Sequence, residues 1–476
     1  MKLGRLGRKS VASLLGIALL IGLTPVASAA DTPEQVKEVR QLLLNYHYGN
    51  PSEASLSMDD IDGMIKTLND PYTQFFDAAE WKAFNSVLEQ TFVGVGIVMR
   101  QEKTGIAVDD VIPGSPAASA GMQAGDVLAT AAGQSLKGKS TADVQQLLLG
   151  KEGSLVSLTV TRAGKKIDFI LQRKTIHLPT VTSRMLGEGV GYLSLSGFTS
   201  DAAAEVKKHL EELEGKGMKA LVFDLRNNGG GYVDTAQKIA GLFLEEGVLA
   251  HMRDREGNDT PLEVDGENND YPVTLLVNGN SASASELLAG ALQDYGIAKL
   301  VGTQTYGKGV VQSIVTMQSG GVLKLTIRQY FTPNGRQVDK VGLTPDLTVQ
   351  DPASQLVEAY RAAGGHKVEL TATSDVVTMS GIRTSEPSAA MKNAKGVWYV
   401  NIRMGASIAG ATLKYDADKR VFTLTKGKVV RTILSNDPRL FVKNGRTMID
   451  VRVLEEWYPG FDHSVSDETI KLSDAG

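Results

Sequence analysis

The sequence predicts a multidomain α/β protein: a helical N-terminal region, a small β-rich domain, a central α/β layer and a small α+β C-terminal module. Three observations lead there. The chain has 476 residues, and at about 100–200 residues per domain that length calls for several domains. Between residues 180 and 350, apolar strand-like runs alternate with amphipathic helical runs, the pattern of parallel strands joined by helices. On both sides of this stretch the pattern breaks, to short strands with Gly and Pro turns before it and to a weak internal repeat after it.

Composition excludes several classes of function. Hydrophobic content of 42% and charged content of 22% are ordinary for a globular protein. The net charge of −4 leaves no basic excess to neutralise phosphates, so no nucleic acid is expected as a partner. The absence of cysteine excludes disulfides, a thiol nucleophile, iron–sulfur clusters, thiolate zinc sites and lipid attachment to an N-terminal cysteine.

Residues 1–29 read as a signal peptide. Lys2, Arg5, Arg8 and Lys9 precede an apolar run at 11–23, Pro25 breaks it, and "ASA" at 27–29 supplies small residues for cleavage. The run is shorter than the ~20 residues that span a bilayer; an uncleaved anchor is the alternative. The mature chain is expected to start near Ala30 or Asp31 and to be extracytoplasmic: secreted, periplasmic or associated with the cell envelope.

Residues 31–90 form the helical region. "TPEQVKEVRQLLLNY" has a Thr cap and Pro at the first helical position; "SMDDIDGMIKTL" is a second helix, and a third follows the turn "NDPYT". So few short helices bury little core alone, so they are expected to pack on a neighbouring domain or a second subunit. Residues 91–176 form the β-rich domain, with one short helix at "TADVQQLLLG" and a strand pair joined at "AGK". Residues 177–350 form the α/β core, whose sites should lie beyond the strand C-termini. Residues 351–390 are expected as a helix and linker, and residues 391–476 as a separate module in which "strand, Arg plus helix, strand pair" occurs twice.

The stretch "NSASASELLAGALQDY" sets three small hydroxyls before a helix. Helix capping is the plainer reading of such serines taken alone. A serine is a poor nucleophile without a base, and none of the six histidines lies beside a strand end or Gly-rich turn of the α/β region. Lys308, in "TYGKGVVQ", is the base to consider, in a Ser–Lys dyad. An ordinary lysine is neutral at pH 7 in roughly one molecule in a few thousand, and burial among apolar neighbours would raise that fraction. Gln312 lies four residues on, where its amide carbonyl would accept a hydrogen from the lysine. "FDLRNNGGGYVD" (223–234) is a strand, a Gly-rich turn and a helix start, which offers backbone N–H groups to an oxyanion; a second donor would be the amide just after the nucleophile.

Together these residues resemble the carboxyl-terminal processing peptidases, or tail-specific serine proteases. "SASASE", "TYGKGVVQ", "DLRNNGGG" and "YFTPNGRQVDKVGLTPD" match the family's motifs in order, and the resemblance covers about residues 33–360. It implies a crotonase-like protease core, with Ser283 as nucleophile, Lys308 as base, Gln312 as its support, and the N–H groups of Gly229 and Ala284 as oxyanion donors. Tyr306 stands where many members have Phe. "TFVGVGIVM" and "VIPGSPAASAGMQAGDVL" resemble a PDZ domain, which implies that the amides of Val95, Gly96 and Ile97 hold a terminal carboxylate; a simple β-bulge is the plainer reading of those glycines. The implied partner is a protein or peptide with an accessible apolar C-terminus. The resemblance also implies a homodimer through the N-terminal helices, and gating by the PDZ domain. The C-terminal module resembles the copper amine oxidase N-terminal-like (stalk) domain, which implies cell-envelope contact. It contains only His463, so no metal site is expected, and no cofactor is expected anywhere. Two other readings stand beside the peptidase. One is a catalytically silent relative that binds tails or apolar ligands. The other, an acyl-CoA-processing α/β enzyme, rests on fold analogy alone.

Overall fold

A computed structural model describes residues 31–102, 105–267, 269–466 and 468–476, together with a two-residue strand, Ser13–Leu14, that pairs with Gln312–Ser313. The rest of the expected signal peptide lies outside the described residues. Among the described residues no helix is long and apolar enough to cross a membrane. The chain divides into two compact units, residues 1–75 with 181–476, and residues 76–180.

The first unit is built on a six-stranded sheet. Its order is Val181–Gly187, Val190–Leu195, Ala220–Asp224, Val273–Val277, Ala298–Gly302 and Leu347–Thr348. The first pair is antiparallel and the others are parallel. Ala220–Asp224 and Val273–Val277 are buried at every residue, as expected of strands covered on both faces. Alternate residues serve two cores. Leu221, Phe223 and Leu275 pack under the helices Ala202–Gly215, Val233–Ala240 and Ala284–Asp294. Val222, Leu276 and Val301 pack under the helix Pro352–Ala362.

A second, antiparallel sheet contains Glu246–Arg253, Asp259–Asp265, Val310–Thr316 and Val322–Phe331. Helices Pro33–Tyr46 and Ile61–Lys66 lie on it, burying Val39, Leu43 and Met64 against Leu323 and Leu325. The first of these helices starts at a capping box formed by Thr32 and Gln35. The neighbour expected for these helices is thus the core itself.

Two expectations need correction. The stretch after residue 366, read as a linker, forms the strands Val368–Ala372, Val376–Met379 and Ile382–Ser385, in one sheet with Phe461–Val465 and Ile470–Asp474. Its partner is the far end of the chain, with Val368 opposite Asp474, a pairing that local sequence does not display. Nor is the C-terminal module separate. Ile402, Leu454 and Leu472 share one continuous core with the helix Pro352–Ala362 and the central sheet. Its repeat is real in capping terms: Asn401 accepts from the Arg403 N–H, and Asp450 from the Arg452 N–H.

The second unit is built on a six-stranded antiparallel sheet, in the order Ile97–Glu102, Gly105–Val111, Val127–Ala131, Leu155–Arg162 and Lys165–Gln172, with the short strand Gln134–Ser135 also paired to Val127–Ala131. Its core includes Val95, Val108, Val144 and Leu158. The helix Thr141–Leu148 is capped by Ser140 and Asp143 and lies beside the edge strand Ile97–Glu102. The third N-terminal helix, Ala78–Leu88, belongs to this unit.

Candidate active site

Strand Val273–Val277 ends in a turn that re-enters the fold as the helix Ala284–Asp294. The outer two serines of that turn are structural. Ser281 Oγ accepts from the Asn278 N–H at 2.9 Å and donates to the Leu225 carbonyl at 2.8 Å. Ser285 Oγ donates to the Asn228 carbonyl at 2.9 Å. The middle one differs. Ser283 is fully buried, its Oγ faces the Glu286 N–H in a capping-box arrangement but makes no hydrogen bond of normal geometry, and its backbone sits at φ 67°, ψ −116°. A non-glycine residue held there costs of order 1–3 kcal/mol, and a buried hydroxyl without a partner is rare enough to need a reason. Strand, strained turn and helix N-terminus together are how folds present a nucleophilic serine.

Two side chains tie the Ser283 turn to the Lys308 loop. Glu286, fully buried, accepts with one oxygen from the N–H groups of Ser283 and Lys308, each at 2.9 Å. Its other oxygen accepts from the Gly307 N–H at 2.8 Å and from the Thr305 hydroxyl. Burial pushes this carboxyl above its usual range, against the pull of the Thr305 hydroxyl and the three amides. Tyr330 closes the other side: its hydroxyl faces the carbonyls of Lys308 at 2.8 Å and Ser283 at 3.2 Å. Ser283 and Lys308 are therefore placed by one carboxyl group and one phenol, both anchored in core elements.

Lys308 is 1% exposed, and its Nζ lies 4.6 Å from the centre of the Tyr72 ring. Burial, and then the charge of Lys324, hold its pKa well below that of an ordinary lysine, against the opposing pull of Asp70 and Glu286. Gln312 is fully buried. Its Nε2 donates to Thr326 Oγ1 at 3.3 Å, while its Oε1 has no partner. The support expected from the Gln312 carbonyl is thus not formed as a hydrogen bond, and neither is a bond between Ser283 Oγ and the lysine. Both orphaned atoms belong to the expected catalytic set.

The Gly-rich turn lies directly against the Ser283 turn. Gly230 has φ +103°, and a Cβ there would sit 2.8 Å from Ser283 Cβ and 3.0 Å from Ala284 N; only glycine allows this approach. Asn228 fixes the turn, accepting from the Gly230 N–H at 2.9 Å and donating to the Leu195 carbonyl at 2.9 Å. Gly229, next in the turn, is partly exposed. Ala284 is the first helical residue and is buried. Neither of these N–H groups takes part in the turn's backbone hydrogen bonds.

The sequence reading missed residues 47–73. His47, 3% exposed, pairs through Nε2 with Asp70 Oδ2 at 3.2 Å. Asp70 also accepts from Thr73 Oγ1 at 2.6 Å and the Tyr72 N–H at 2.9 Å. Burial pushes its carboxyl up, but the hydrogen bonds from His47, Thr73, Thr326 and the Tyr72 amide outweigh it and hold the pKa at about 2. The sequence signal was slight, an Asp before a Pro in a turn. It also missed Glu286, Tyr330 and Lys324, which look like ordinary helix and strand residues.

In the second unit, Val95, Gly96 and Ile97 lead into the edge strand. The Val95 carbonyl accepts from the Ala117 N–H at 2.9 Å and the Gly96 carbonyl from the Ile112 N–H at 3.0 Å. Gly96 has φ +81°, and a Cβ on it would lie 2.2 Å from Ser115 Cβ. The loop is thereby pinned through its carbonyls, and the outer edge of Ile97–Glu102 has no strand partner among the described residues.

Comparison with known proteins places the chain in a family. Peptidase family S41 matches residues 189–349, and the PDZ domain family matches residues 108–162. A "Probable CtpA-like serine protease" of Staphylococcus aureus (strain bovine RF122 / ET3-1) is 36% identical over 325 residues, 67% of this chain and 65% of that protein; the chain thus spans just under two thirds of that relative's length. The protein of the same description in strain N315 is 34% identical over 359 residues, 74% of this chain and 72% of the relative. Among solved structures, "photosystem II D1 C-terminal processing protease" aligns with a TM-score of 0.46 and 27% identity, over 70% of this chain and 98% of that one. By its sequence matches the chain belongs to peptidase family S41, as a relative of the CtpA-like serine proteases that carries a PDZ domain.

Proposed function

We propose that this chain is a serine endopeptidase of the cell exterior or envelope that holds protein C-terminal tails in its PDZ domain and cleaves by a Ser283–Lys308 dyad. The observation that carries the reading is the orphaned, buried Ser283 hydroxyl at a strained helix entrance, cross-tied through Glu286 and Tyr330 to a lysine that burial disposes to be neutral.

In this mechanism Lys308 Nζ takes the Ser283 Oγ proton as the oxygen attacks the scissile carbonyl. The N–H groups of Gly229 and Ala284 receive the oxyanion, supported by the dipole of the Ala284–Asp294 helix. Lys308 then protonates the leaving amine and an acyl-enzyme remains. Water, deprotonated by the same lysine, releases the acid. Gln312 Oε1 orients the amine during these transfers. The tail adds as a strand to the Ile97–Glu102 edge, with its carboxylate on the amides of Val95, Gly96 and Ile97. No metal or cofactor takes part in this scheme.

The family resemblance supports one addition, a PDZ domain that gates the dyad until a tail is bound. Pairing through the N-terminal helices and envelope contact through the C-terminal module remain part of the proposal, supported by the family resemblance.

The test is cleavage of a reporter protein with an apolar tail by wild type, Ser283→Ala and Lys308→Ala, with a tail-amidated control. The reading predicts loss of about 1,000-fold or more in each variant, and a fall with the amidated tail. Activity surviving in Ser283→Ala would show that another nucleophile works. A folded wild type that binds tails and never cleaves would favour the silent relative.

A further inference from the structure

The parallel strands Val190–Leu195, Ala220–Asp224, Val273–Val277 and Ala298–Gly302 end side by side, and a cavity of about 620 Å³ opens at that end. This is the size of a ligand site, and the C-terminal end of a parallel sheet is where such sites form. Ser194, Asp224, Asn278 and Thr303, at or just past the strand ends, line it, together with Asn227. Asn227 and Asn278 stand in the Gly-rich turn and the Ser283 turn and tie the two together. Asn278 Oδ1 accepts from the Asn227 N–H at 3.0 Å, and Asn227 Oδ1 accepts from Asn278 Nδ2 at 3.0 Å. The cavity therefore borders the supports of the proposed nucleophile and oxyanion donors. Its lining lies wholly within the first unit.

Another wall is the strand Ile382–Ser385, which is the edge of its sheet. All four of its residues line the cavity. Side chains alternate between the two faces of a strand, so a cavity that touches all four lies along the strand's edge. The hairpin fixes which main-chain groups point there. Val376–Met379 and Ile382–Ser385 are joined by Ser380 and Gly381, both at positive φ. In such a two-residue turn Met379 and Ile382 exchange hydrogen bonds, and so do Val377 and Thr384. The N–H and C=O groups of Arg383 and Ser385 consequently point away from the hairpin, with no main-chain partner among the described residues. An open edge of this kind is a template for an extended peptide. The charges agree. Asp224 is already compensated: Arg226 donates to it through Nε at 3.0 Å and Nη2 at 2.6 Å, and Tyr192 donates at 2.8 Å. Arg383 is exposed and has no ion-pair partner among the described residues. Most of the remaining lining is hydroxyl and amide, which suits a peptide and not an acyl chain.

Resting on the peptidase reading above, we propose that this cavity is a substrate subsite. A stretch of the polypeptide near the cleaved bond lies in it as a strand added to Arg383 and Ser385, and an acidic side chain of that stretch meets the Arg383 guanidinium. The subsite is distinct from the proposed tail site, whose residues belong to the second unit. It makes the enzyme select for sequence beside the cleaved bond as well as for the tail.

The experiment measures kcat and KM of full-length wild type, Arg383→Glu and Ser385→Pro. The reporters share one apolar tail and carry Glu or Lys at successive positions on either side of the cleaved bond. Wild type should prefer Glu to Lys by roughly tenfold in kcat/KM at a position that reaches Arg383, the size of one charge-assisted hydrogen bond. Arg383→Glu should reverse the preference at that same position, which general damage to the fold does not do. Ser385→Pro removes an outward N–H at an edge where proline is tolerated, and its loss should fall on KM rather than kcat for every reporter. A preference that Arg383→Glu leaves unmoved, or a KM that Ser385→Pro leaves unmoved, overturns the inference and leaves the dyad standing. Full cleavage by Ser283→Ala overturns the dyad reading alone. If the Arg383 and Ser385 variants do not fold, photo-crosslinking to full-length Ser283→Ala decides. A reporter with a photoreactive residue beside the cleaved bond should attach within residues 382–385, and attachment only elsewhere ends the proposal.

Discussion

Ser283, Lys308 and Glu286 illustrate how much a few buried polar groups are asked to do. Glu286 receives three amides and a hydroxyl, so Glu286→Ala leaves several donors unpaired in the interior. Thermal or denaturant unfolding of that variant should show a loss of roughly 3 kcal/mol, and cleavage should fall because the two loops are no longer tied. Lys308 should behave in the opposite sense. Its pKa is depressed by burial and by Lys324, so between its folded value and the ordinary lysine range the unfolded chain binds the extra proton. Stability through this group therefore increases as pH rises across that window. Lys308→Met should be inactive yet melt a few degrees higher than wild type at neutral pH. A variant that melts lower would mean that the lysine is not a strained group. Ser283 and Lys308 were legible in the sequence because small residues and glycines mark both loops. Glu286 was not, since a Glu three residues into a helix is the commonest of capping residues.

Among the elements, the Gly-rich turn and the "NDPYT" segment matter most. Gly230→Ala puts a methyl 2.8 Å from Ser283 Cβ at φ +103°, so one turn must move. Cleavage should drop at least about 100-fold, with a much smaller change in tail binding, measured by fluorescence anisotropy. Equal losses in both would point to general misfolding. In the other segment, Asp70 titrates at about 2 in the fold instead of its usual 3.8. That contributes ~2 kcal/mol of stability, present above the unfolded pKa and lost as pH falls through the folded one. Asp70→Asn should accordingly flatten the fall in Tm on acidification below about pH 4. The glycine turn could be read from sequence because glycine runs before a helix have few other uses. The His47–Asp70 pair could not, because nothing in residues 31–90 shows that they pack on a strand some 250 positions away; that contact follows only from Leu323 and Leu325 meeting Val39, Leu43 and Met64.

Across the whole molecule, the C-terminal module is part of the peptidase unit. The helix Pro352–Ala362, the strand Val368–Ala372 and the final strand Ile470–Asp474 are linked by pairing and by a core that includes Val222 and Leu276 of the central sheet. Truncation after residue 363 should therefore expose an apolar sheet face and yield insoluble or unfolded protein; a soluble, active truncation would contradict this packing. The α/β alternation of residues 177–350 was legible because buried parallel strands are nearly pure Val, Leu, Ala and Phe. The strands after residue 366 were hidden by their polarity, Val368, Leu370 and Ala372 being the only inward residues of a half-exposed strand. The claim on which the rest depends is that Ser283 is a nucleophile made reactive by Lys308. The most direct measurement is the rate and location of covalent labelling by a fluorophosphonate, followed by peptide mass mapping, in wild type and Lys308→Ala across pH. The account predicts a single adduct on Ser283, forming faster as pH rises through the depressed lysine pKa and nearly absent in Lys308→Ala. An adduct on another hydroxyl, or labelling of Ser283 that proceeds equally fast without Lys308, would contradict it.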